Sequence, residues 1–106
     1  MNNQILINSQ NHLHLVDQKD IVFCQSDNCY TYINLLNGAP LTVSKPLSKF
    51  FINLNTENFI RVHQSFVINR SFIKSVDKRN KHIIMINDTQ IQFSITLKEL
   101  INLLDK

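Results

Sequence analysis

The chain has 106 residues, of which 43% are hydrophobic and 18% are charged, and its formal net charge is +3. This composition excludes a disordered chain, and we expect one domain over residues 1–106 that folds without a disulfide or a metal. Gly38 is the single glycine, which excludes the glycine-rich phosphate loops of nucleotide-binding enzymes. No apolar run approaches the ~20 residues of a membrane span, and the N-terminus does not resemble a signal peptide, so we expect a cytoplasmic protein without membrane association.

Positive charge is concentrated in the middle of the chain. Residues 45–81 contain eight lysines and arginines but only two acids, which gives this segment a net charge of +6. Residues 1–44 sum to −2 and residues 82–106 to −1. A local excess of cations is typical of proteins that bind a polyanion such as a nucleic acid.

The first half of the chain alternates short apolar runs with polar turns, which predicts antiparallel β-strands. The predicted strands are residues 5–7, 13–16, 21–24, 30–36 and 41–43. The run at 21–24 is apolar throughout, so we expect it to be buried on both faces. Asn37-Gly38 tolerates positive φ and predicts a hairpin between the last two of these strands. Ser44-Lys45-Pro46 then predicts the start of a short amphipathic helix over residues 46–54.

The second half of the chain continues in the same way and ends in a helix. The predicted strands are residues 59–62, 66–68, 82–86 and 91–93, with a turn and strand over 71–76 and a charged loop at 77–81. Leu97, Leu100, Ile101 and Leu104 recur at i, i+3, i+4 and i+7, which predicts one buried helical face, and Ser94 is the expected N-cap. The predicted fold class is therefore mainly β with two short helices.

Cysteine and histidine spacing gives no sign of a catalytic or metal site. Cys24 and Cys29 do not form a CxxC pair, so we interpret them as one buried thiol and one loop thiol. None of the four histidines has a Cys, Asp or Glu at metal-ligand spacing. We predict no enzyme activity, no metal and no cofactor.

The most informative stretch is FIRVHQSFVIN at residues 59–69, because its polar groups lie on and between two short predicted strands. Together with TVSKPL at 42–47 and SDNCYTYI at 26–33, it resembles the LytTR-type DNA-binding domain of bacterial response regulators over nearly the whole chain. The resemblance implies an elongated antiparallel β fold that binds double-stranded DNA sequence-specifically through loops, at paired direct repeats, in transcription regulation. It also implies a receiver domain in a longer parent protein of a two-component system, and a weak homodimer on DNA.

The resemblance places base contacts in three loops. The first enters a strand at Asn28, where Tyr30 matches a histidine or lysine of the family. The second follows the motif residue His63 and matches Gln64, and the third matches Thr96, where the family often has an arginine. On chemical grounds the Gln64 amide could pair with adenine N6 and N7 or could bond to its own turn. His63 could contact DNA or could hold a neighbouring backbone carbonyl.

The candidates for phosphate contact are polar or cationic residues in and around the central stretch. They are Lys45, Arg61, Ser65, Arg70, Lys78 and Arg79. Arg61 could instead pair with Glu57 on the outer face of the sheet. For Asn69, closing the turn before Ser71 is the expected role. We expect Lys45, Gln64 and Arg70 to share one surface.

Two other binding functions remain open from the sequence. Tyr30 and Tyr32 share one strand face beside the basic segment and could stack on unpaired bases, as in proteins that bind RNA or single strands. A β domain could instead dock a partner protein at an exposed sheet edge.

Overall fold

The computed structural model describes residues 3–105. Within them, ten strands form three antiparallel sheets, and two short α-helices pack against these sheets. The strands are β1 Gln4–Ser9, β2 His12–Asp17, β3 Ile21–Asp27, β4 Tyr30–Leu35, β5 Leu41–Val43, β6 Phe59–His63, β7 Phe66–Asn69, β8 Ile73–Asp77, β9 His82–Met85 and β10 Gln90–Gln92. The helices are α1 Leu47–Phe51 and α2 Leu97–Leu104. The described residues measure 42 × 31 × 23 Å, so the predicted mainly β, elongated fold is confirmed.

A five-stranded sheet with the order β5-β4-β3-β7-β6 forms the centre of the molecule. On one face it packs against the β1–β2 hairpin and α1, through a cluster that includes Ile7, Leu47 and Phe50. On the other face it packs against the β8–β10 sheet and α2, through a cluster that includes Ile83 and Leu100. Because a fully buried side chain of this size contributes about 1.5–3 kcal/mol, these two layers fix the central sheet firmly.

The central strand β3 shows why both layers are needed. Ile21, Val22, Phe23 and Cys24 are all buried, as predicted. The pairing of β3 with β4 shifts between Ile21 and Phe23, so a bulge interrupts the alternation of side chains. Ile21 and Cys24 therefore belong to the first cluster, while Val22 and Phe23 both belong to the second.

Helix α1 is shorter than the predicted 46–54. It begins at Leu47 after Pro46, which occupies the N-cap position without a side-chain bond, so Ser44 does not cap it. After Phe51 the chain continues in turns, with Leu54 N–H donating to the Phe51 carbonyl at 3.0 Å. Leu54 has an asparagine on each side, and the helix ends before these residues because asparagine favours turns over helix interiors. Leu54 still reaches the core.

Helix α2 begins and faces differently from the prediction. Its N-cap is Thr96, whose side chain accepts from Glu99 N–H, while Ser94 lies two residues earlier and its N–H bonds the Val62 carbonyl at 2.9 Å. Ile101, a predicted core position, is 51% exposed, and Leu103 packs against the second cluster instead. Among residues 3–105 no helix has the length and apolarity needed to cross a membrane.

The connections between strands lie where they were predicted, but some of their backbone conformations differ from the prediction. The β4–β5 hairpin is present, yet only Gly38 has a positive φ, at 94°, and Asn37 does not. Two single-turn 3₁₀ helices at Gln18–Asp20 and Arg70–Phe72 were not predicted. The second is capped by Asn69, whose Oδ1 accepts from Ser71 N–H at 2.9 Å, so the expected turn role of Asn69 is confirmed.

Candidate nucleic-acid interface

Three connections of the central sheet lie at the same end. A row of neighbours crosses three of its five strands there and reaches the β6–β7 turn: Val43 pairs with Thr31, Thr31 pairs with Ser26, and Ser26 N–H donates to the Ser65 carbonyl at 2.9 Å. The β3–β4 turn, the β5–α1 connection and the β6–β7 turn all follow this row. We call residues 27–30, 44–45 and 63–65 the loop end of the sheet. With strands ~4.8 Å apart, the five strands make this end roughly 19 Å wide.

The β6–β7 turn presents Gln64 at the loop end. The Gln64 side chain is exposed and forms no hydrogen bond with any other described residue, so the alternative of a bond to its own turn is wrong. Its backbone carbonyl accepts a bond of 2.6 Å from Arg61 Nη2. The alternative of an ion pair between Arg61 and Glu57 is not formed; the ion pair found in residues 3–105 joins Lys74 and Asp88. The Gln64 amide thus remains available for a ligand.

His63 supports the same turn from the last position of β6. Ser65 N–H donates to His63 Nδ1 at 3.0 Å. Because a backbone N–H can only donate, Nδ1 must be the acceptor, and in neutral His63 the proton is on Nε2. The imidazole also packs against the Phe66 ring, with centroids 5.6 Å apart. His63 therefore holds a neighbouring N–H, not the carbonyl that we expected.

The β3–β4 turn lies next to the Gln64 turn. Asn28 has a φ of 56°, a conformation that asparagine tolerates better than most residues, and its side chain is exposed. Tyr30 is 48% exposed and opens β4. Tyr32 lies on the same face, and its hydroxyl donates to Asp27 Oδ2 at 3.0 Å, a bond that raises the pKa of Tyr32. The opposite face of β4 is the core face, where Thr31 is buried.

Lys45 is held at the loop end by its backbone. The Thr31 hydroxyl donates to the Lys45 carbonyl at 2.7 Å, and the Lys45 side chain is exposed. Sequence reasoning missed the role of Thr31, because nothing in a β-branched residue within a strand signals a bond to a loop 14 residues away. The bond fixes where the Lys45 cation emerges.

The β8–β9 loop adds further cations beside β6. Lys78, Arg79 and Lys81 are exposed in it. Phe93 N–H donates to the Lys81 carbonyl at 3.2 Å, and the next residue, Ser94, bonds to Val62, so the loop reaches the loop end through two successive backbone bonds. The Lys81 Nζ also lies 5.9 Å from the centroid of the Phe93 ring. Sequence reasoning left Lys81 out, because no pattern relates it to β6.

Asp77 organises that loop. Its carboxylate accepts bonds from the N–H of Arg79 and from both the backbone and the side chain of Asn80. These bonds, those from Asn80 first, lower the pKa of Asp77, so the carboxylate stays charged through the neutral range. The loop is thereby closed without using the charged groups of Lys78 or Arg79.

Arg70 does not belong to the loop end. It follows β7 at the opposite end of the β6–β7 hairpin, about 20 Å along the strand from Gln64, and its N–H donates to the Asn58 carbonyl at 2.8 Å. Its guanidinium donates to the Leu104 carbonyl at 2.8 Å, at the C-terminus of α2. The expectation that Lys45, Gln64 and Arg70 share one surface is therefore wrong for Arg70.

Thr96 has a role in the fold. Its hydroxyl oxygen accepts from Glu99 N–H at 3.1 Å, which is the N-cap bond of a capping box, and the hydroxyl donates to Glu99 Oε1 at 3.2 Å. The pattern Thr-x-x-Glu before an apolar run could have identified this cap from the sequence.

The remaining polar candidates and the cysteines can be placed directly. The backbone N–H and carbonyl of Ser65 are both hydrogen-bonded at the loop end, while its side chain is half-buried. Cys24 is buried and Cys29 is exposed, and both are free thiols, as predicted. Burial raises the pKa of Cys24 to about 12. No cluster of His, Cys, Asp or Glu within residues 3–105 has the geometry to hold a metal ion.

Fold and surface together define a β-rich domain that presents loops and cations, instead of a recognition helix, at one end of its central sheet. Residues 11–105 match the sequence model of the LytTr DNA-binding domain, and the chain belongs to this family of DNA-binding domains. The resemblance identified from the sequence is thus confirmed.

Individual relatives agree with this assignment. A solved LytTr DNA-binding domain from Bacillus cereus has the same fold, with a TM-score of 0.81 over 98% of each chain at 21% identity. The transcriptional regulatory protein NatR of Bacillus subtilis is 29% identical over 82 residues, or 77% of this chain and 35% of NatR. The transcriptional regulatory protein LytR of Staphylococcus aureus strain N315 is 33% identical over 66 residues, or 62% of this chain and 26% of LytR. The chain spans about a third or less of the length of NatR and of LytR.

Proposed function

We propose that the chain binds double-stranded DNA sequence-specifically through its loop end and serves as the DNA-binding part of a transcriptional regulator. The observation that carries this proposal is the exposed, unbonded amide of Gln64 on a turn that is closed by bonds to the Gln64 carbonyl and to the N–H and carbonyl of Ser65. The family and the names of NatR and LytR support the regulatory role.

Base contact falls to the turn that holds Gln64. A glutamine amide offers one donor and one acceptor side by side, which matches N7 and N6 of adenine in the major groove. A groove ~12 Å wide does not take the whole loop end, roughly 19 Å across, so the Gln64 turn enters it together with the adjacent β3–β4 turn, while Lys45 stays outside. His63 Nε2–H, Asn28 and Tyr30 lie at the flanks and contact the neighbouring bases. Thr96 receives no base contact in this proposal, because its hydroxyl caps α2.

Phosphate contact falls to the cations beside that turn. Lys45 lies near β5, whereas Lys78, Arg79 and Lys81 lie beyond β6, so cations flank Gln64 on two sides. Ammonium and guanidinium groups in such positions bind the two phosphate backbones and orient the domain without reading sequence. The Ser65 hydroxyl is a further donor to phosphate. Arg70 is excluded by its place at the other end of the hairpin.

The wider context of the protein follows from the same proposal. Residues 1–106 act as one DNA-binding unit, because both core clusters share the central sheet. Two such units bind paired direct repeats as a weak homodimer in the cytoplasm, and in a longer parent protein of a two-component system a receiver domain supplies the signal. Since the only chemistry proposed is binding, no catalytic residue is assigned.

Two alternative functions receive less support. Stacking on single strands requires an exposed aromatic row, but Tyr32 is bonded to Asp27, and Phe23, Phe50 and Phe59 are buried. Docking at an edge of the central sheet is disfavoured on both sides. At β5 the Thr42 N–H is bonded to Ser9 Oγ, and at β6 the Val62 carbonyl is bonded to Ser94.

Selection of bound duplexes from a random pool tests the proposal. We expect enrichment of one short pattern, repeated at a fixed spacing, and Gln64→Ala should lower discrimination at one base pair by ~1–3 kcal/mol. Gln90→Ala, at an exposed glutamine of β10, is the matched control and should leave every position unchanged. A pool without enrichment, or stronger retention of single strands, would refute the proposal.

A further inference from the structure

We infer that Arg61 is a positioning residue that sets the sequence specificity of the Gln64 turn and is not a phosphate ligand. This inference rests on the proposed function, because it assumes that Gln64 contacts bases. Its first support is the bond of 2.6 Å from Arg61 Nη2 to the Gln64 carbonyl. Through this bond the guanidinium directs one of its donors into the turn instead of toward a phosphate.

The backbone of the turn explains why such support is needed. Two-residue hairpin turns that match the twist of their strands require positive φ. The Gln10-Asn11 turn of the β1–β2 hairpin meets this requirement, with φ of 52° and 66°. Gln64 and Ser65 have no positive φ, and the pairing of β6 with β7 shifts between Arg61 and His63. The Gln64 turn therefore lacks the usual local stabilisation and depends on bonds from side chains.

Three backbone groups of Gln64 and Ser65 have partners of their own. Ser65 N–H bonds to His63, and the Ser65 carbonyl accepts from Ser26. The Gln64 carbonyl has Arg61 as its partner within the described residues. Since Arg61 lies between the buried residues Ile60 and Val62, its stem is fixed by the strand. Arg61 thus fixes the peptide plane that carries the Gln64 side chain.

The consequence is a separation of specificity from general affinity. Without Arg61, the Gln64 peptide can turn toward water, and its side chain must be ordered anew at each binding event. The surrounding lysines are unaffected, so contact with phosphates persists. Loss of Arg61 therefore weakens the correct sequence and leaves other sequences nearly as they were.

The test measures Kd for a selected duplex and a scrambled duplex with wild type, Arg61→Ala, Arg61→Lys, Gln64→Ala and the double variant Arg61→Ala/Gln64→Ala. We expect Arg61→Ala to weaken the selected duplex about tenfold, as for loss of one charge-assisted bond, and the scrambled duplex less than about twofold. Arg61→Lys keeps the charge but not the planar guanidinium, so it should show the same pattern and serves if Arg61→Ala is unstable. In the Gln64→Ala background, Arg61→Ala should change the ratio of the two Kd values by less than about twofold.

Lys78→Ala is the matched control for a phosphate ligand, because it should weaken both duplexes alike. If Arg61→Ala weakens both duplexes equally and reduces the salt slope by about 0.9, Arg61 is a phosphate ligand and the inference is overturned. An undiminished effect in the Gln64→Ala background also overturns it, since Arg61 would then act on the fold in general. If the wild-type protein does not distinguish the selected from the scrambled duplex, the proposed function itself is overturned. If it does distinguish them but the Arg61 variants do not behave as expected, only the role of Arg61 is overturned.

Discussion

The salt dependence of binding follows from the cations that the fold places at and beside the loop end. Lys45, Lys78, Arg79 and Lys81 are exposed there, and no ion pair engages them within residues 3–105. Each phosphate contact with double-stranded DNA contributes about −0.9 to the slope of log K against log salt, so four contacts give about −3.6. Raising NaCl from ~50 to ~200 mM should therefore weaken binding by roughly 150-fold.

Single substitutions measure how much each cation contributes to that slope. Lys45→Ala should reduce its magnitude by about 0.9, for the selected and the scrambled duplex alike. Lys74→Ala is the matched control, because the Lys74 Nζ lies 2.9 Å from Asp88 Oδ1 at the other end of the β8–β10 sheet. It should leave the slope unchanged. Arg70→Ala should do the same in any variant that remains folded, since Arg70 lies at the far end of the hairpin.

Fluorescence anisotropy titrations at four or more salt concentrations provide the measurement. The electrostatic reasoning is refuted by a slope near zero, because the loop end would then not face phosphates. It is refuted equally if Lys45→Ala and Lys74→Ala change the slope by the same amount, since position at the loop end would then be irrelevant.

Three further predictions concern the scaffold. Asn69→Ala should lower the free energy of unfolding by about 2–3 kcal/mol in urea titrations, because the buried Asn69 amide also donates to the Ile21 carbonyl at 2.9 Å; a loss below ~0.5 kcal/mol contradicts this. Thr96→Ala should cost ~1 kcal/mol through loss of the helix cap, and the rescue variant Thr96→Ser should restore most of it; equal losses would show that the hydroxyl is not a cap. A thiol reagent at neutral pH should modify Cys29 in the native protein and Cys24 only after unfolding, because burial raises the pKa of Cys24 to about 12; native modification of both thiols would disprove this.

Most of the fold could be predicted from the sequence because it depends on local periodicity. The run at 21–24 predicted a doubly buried strand, and β3 is buried on both faces. Gly38 predicted a turn, and its φ of 94° agrees. The helix ends were harder, because they depend on which polar group bonds where. Ser94 and Thr96 are both acceptable N-caps by residue type, but α2 begins at Leu97, so the side chain that accepts from Glu99 N–H is that of Thr96.

The binding surface could be predicted only in part. Lys45 and Gln64 belong to sequence segments separated by 19 positions, and only the order of the sheet shows that they meet at one end. Arg61 and Arg70 look alike in the sequence, as arginines beside short strands. The structure gives each a partner on the backbone, Gln64 for one and Leu104 for the other, and no sequence rule foretells a bond across 34 positions.

In the proposed interface, the Gln64 turn leaves the base-contacting position free to vary although the domain presents no recognition helix. Arg61, His63 and Ser26 supply the bonds that close the turn, and all three lie outside its two central residues. The Gln64 side chain contributes none of them, so the turn places no demand on its chemistry. Replacement of Gln64 should therefore alter which base is selected while changing the free energy of unfolding by less than ~0.5 kcal/mol.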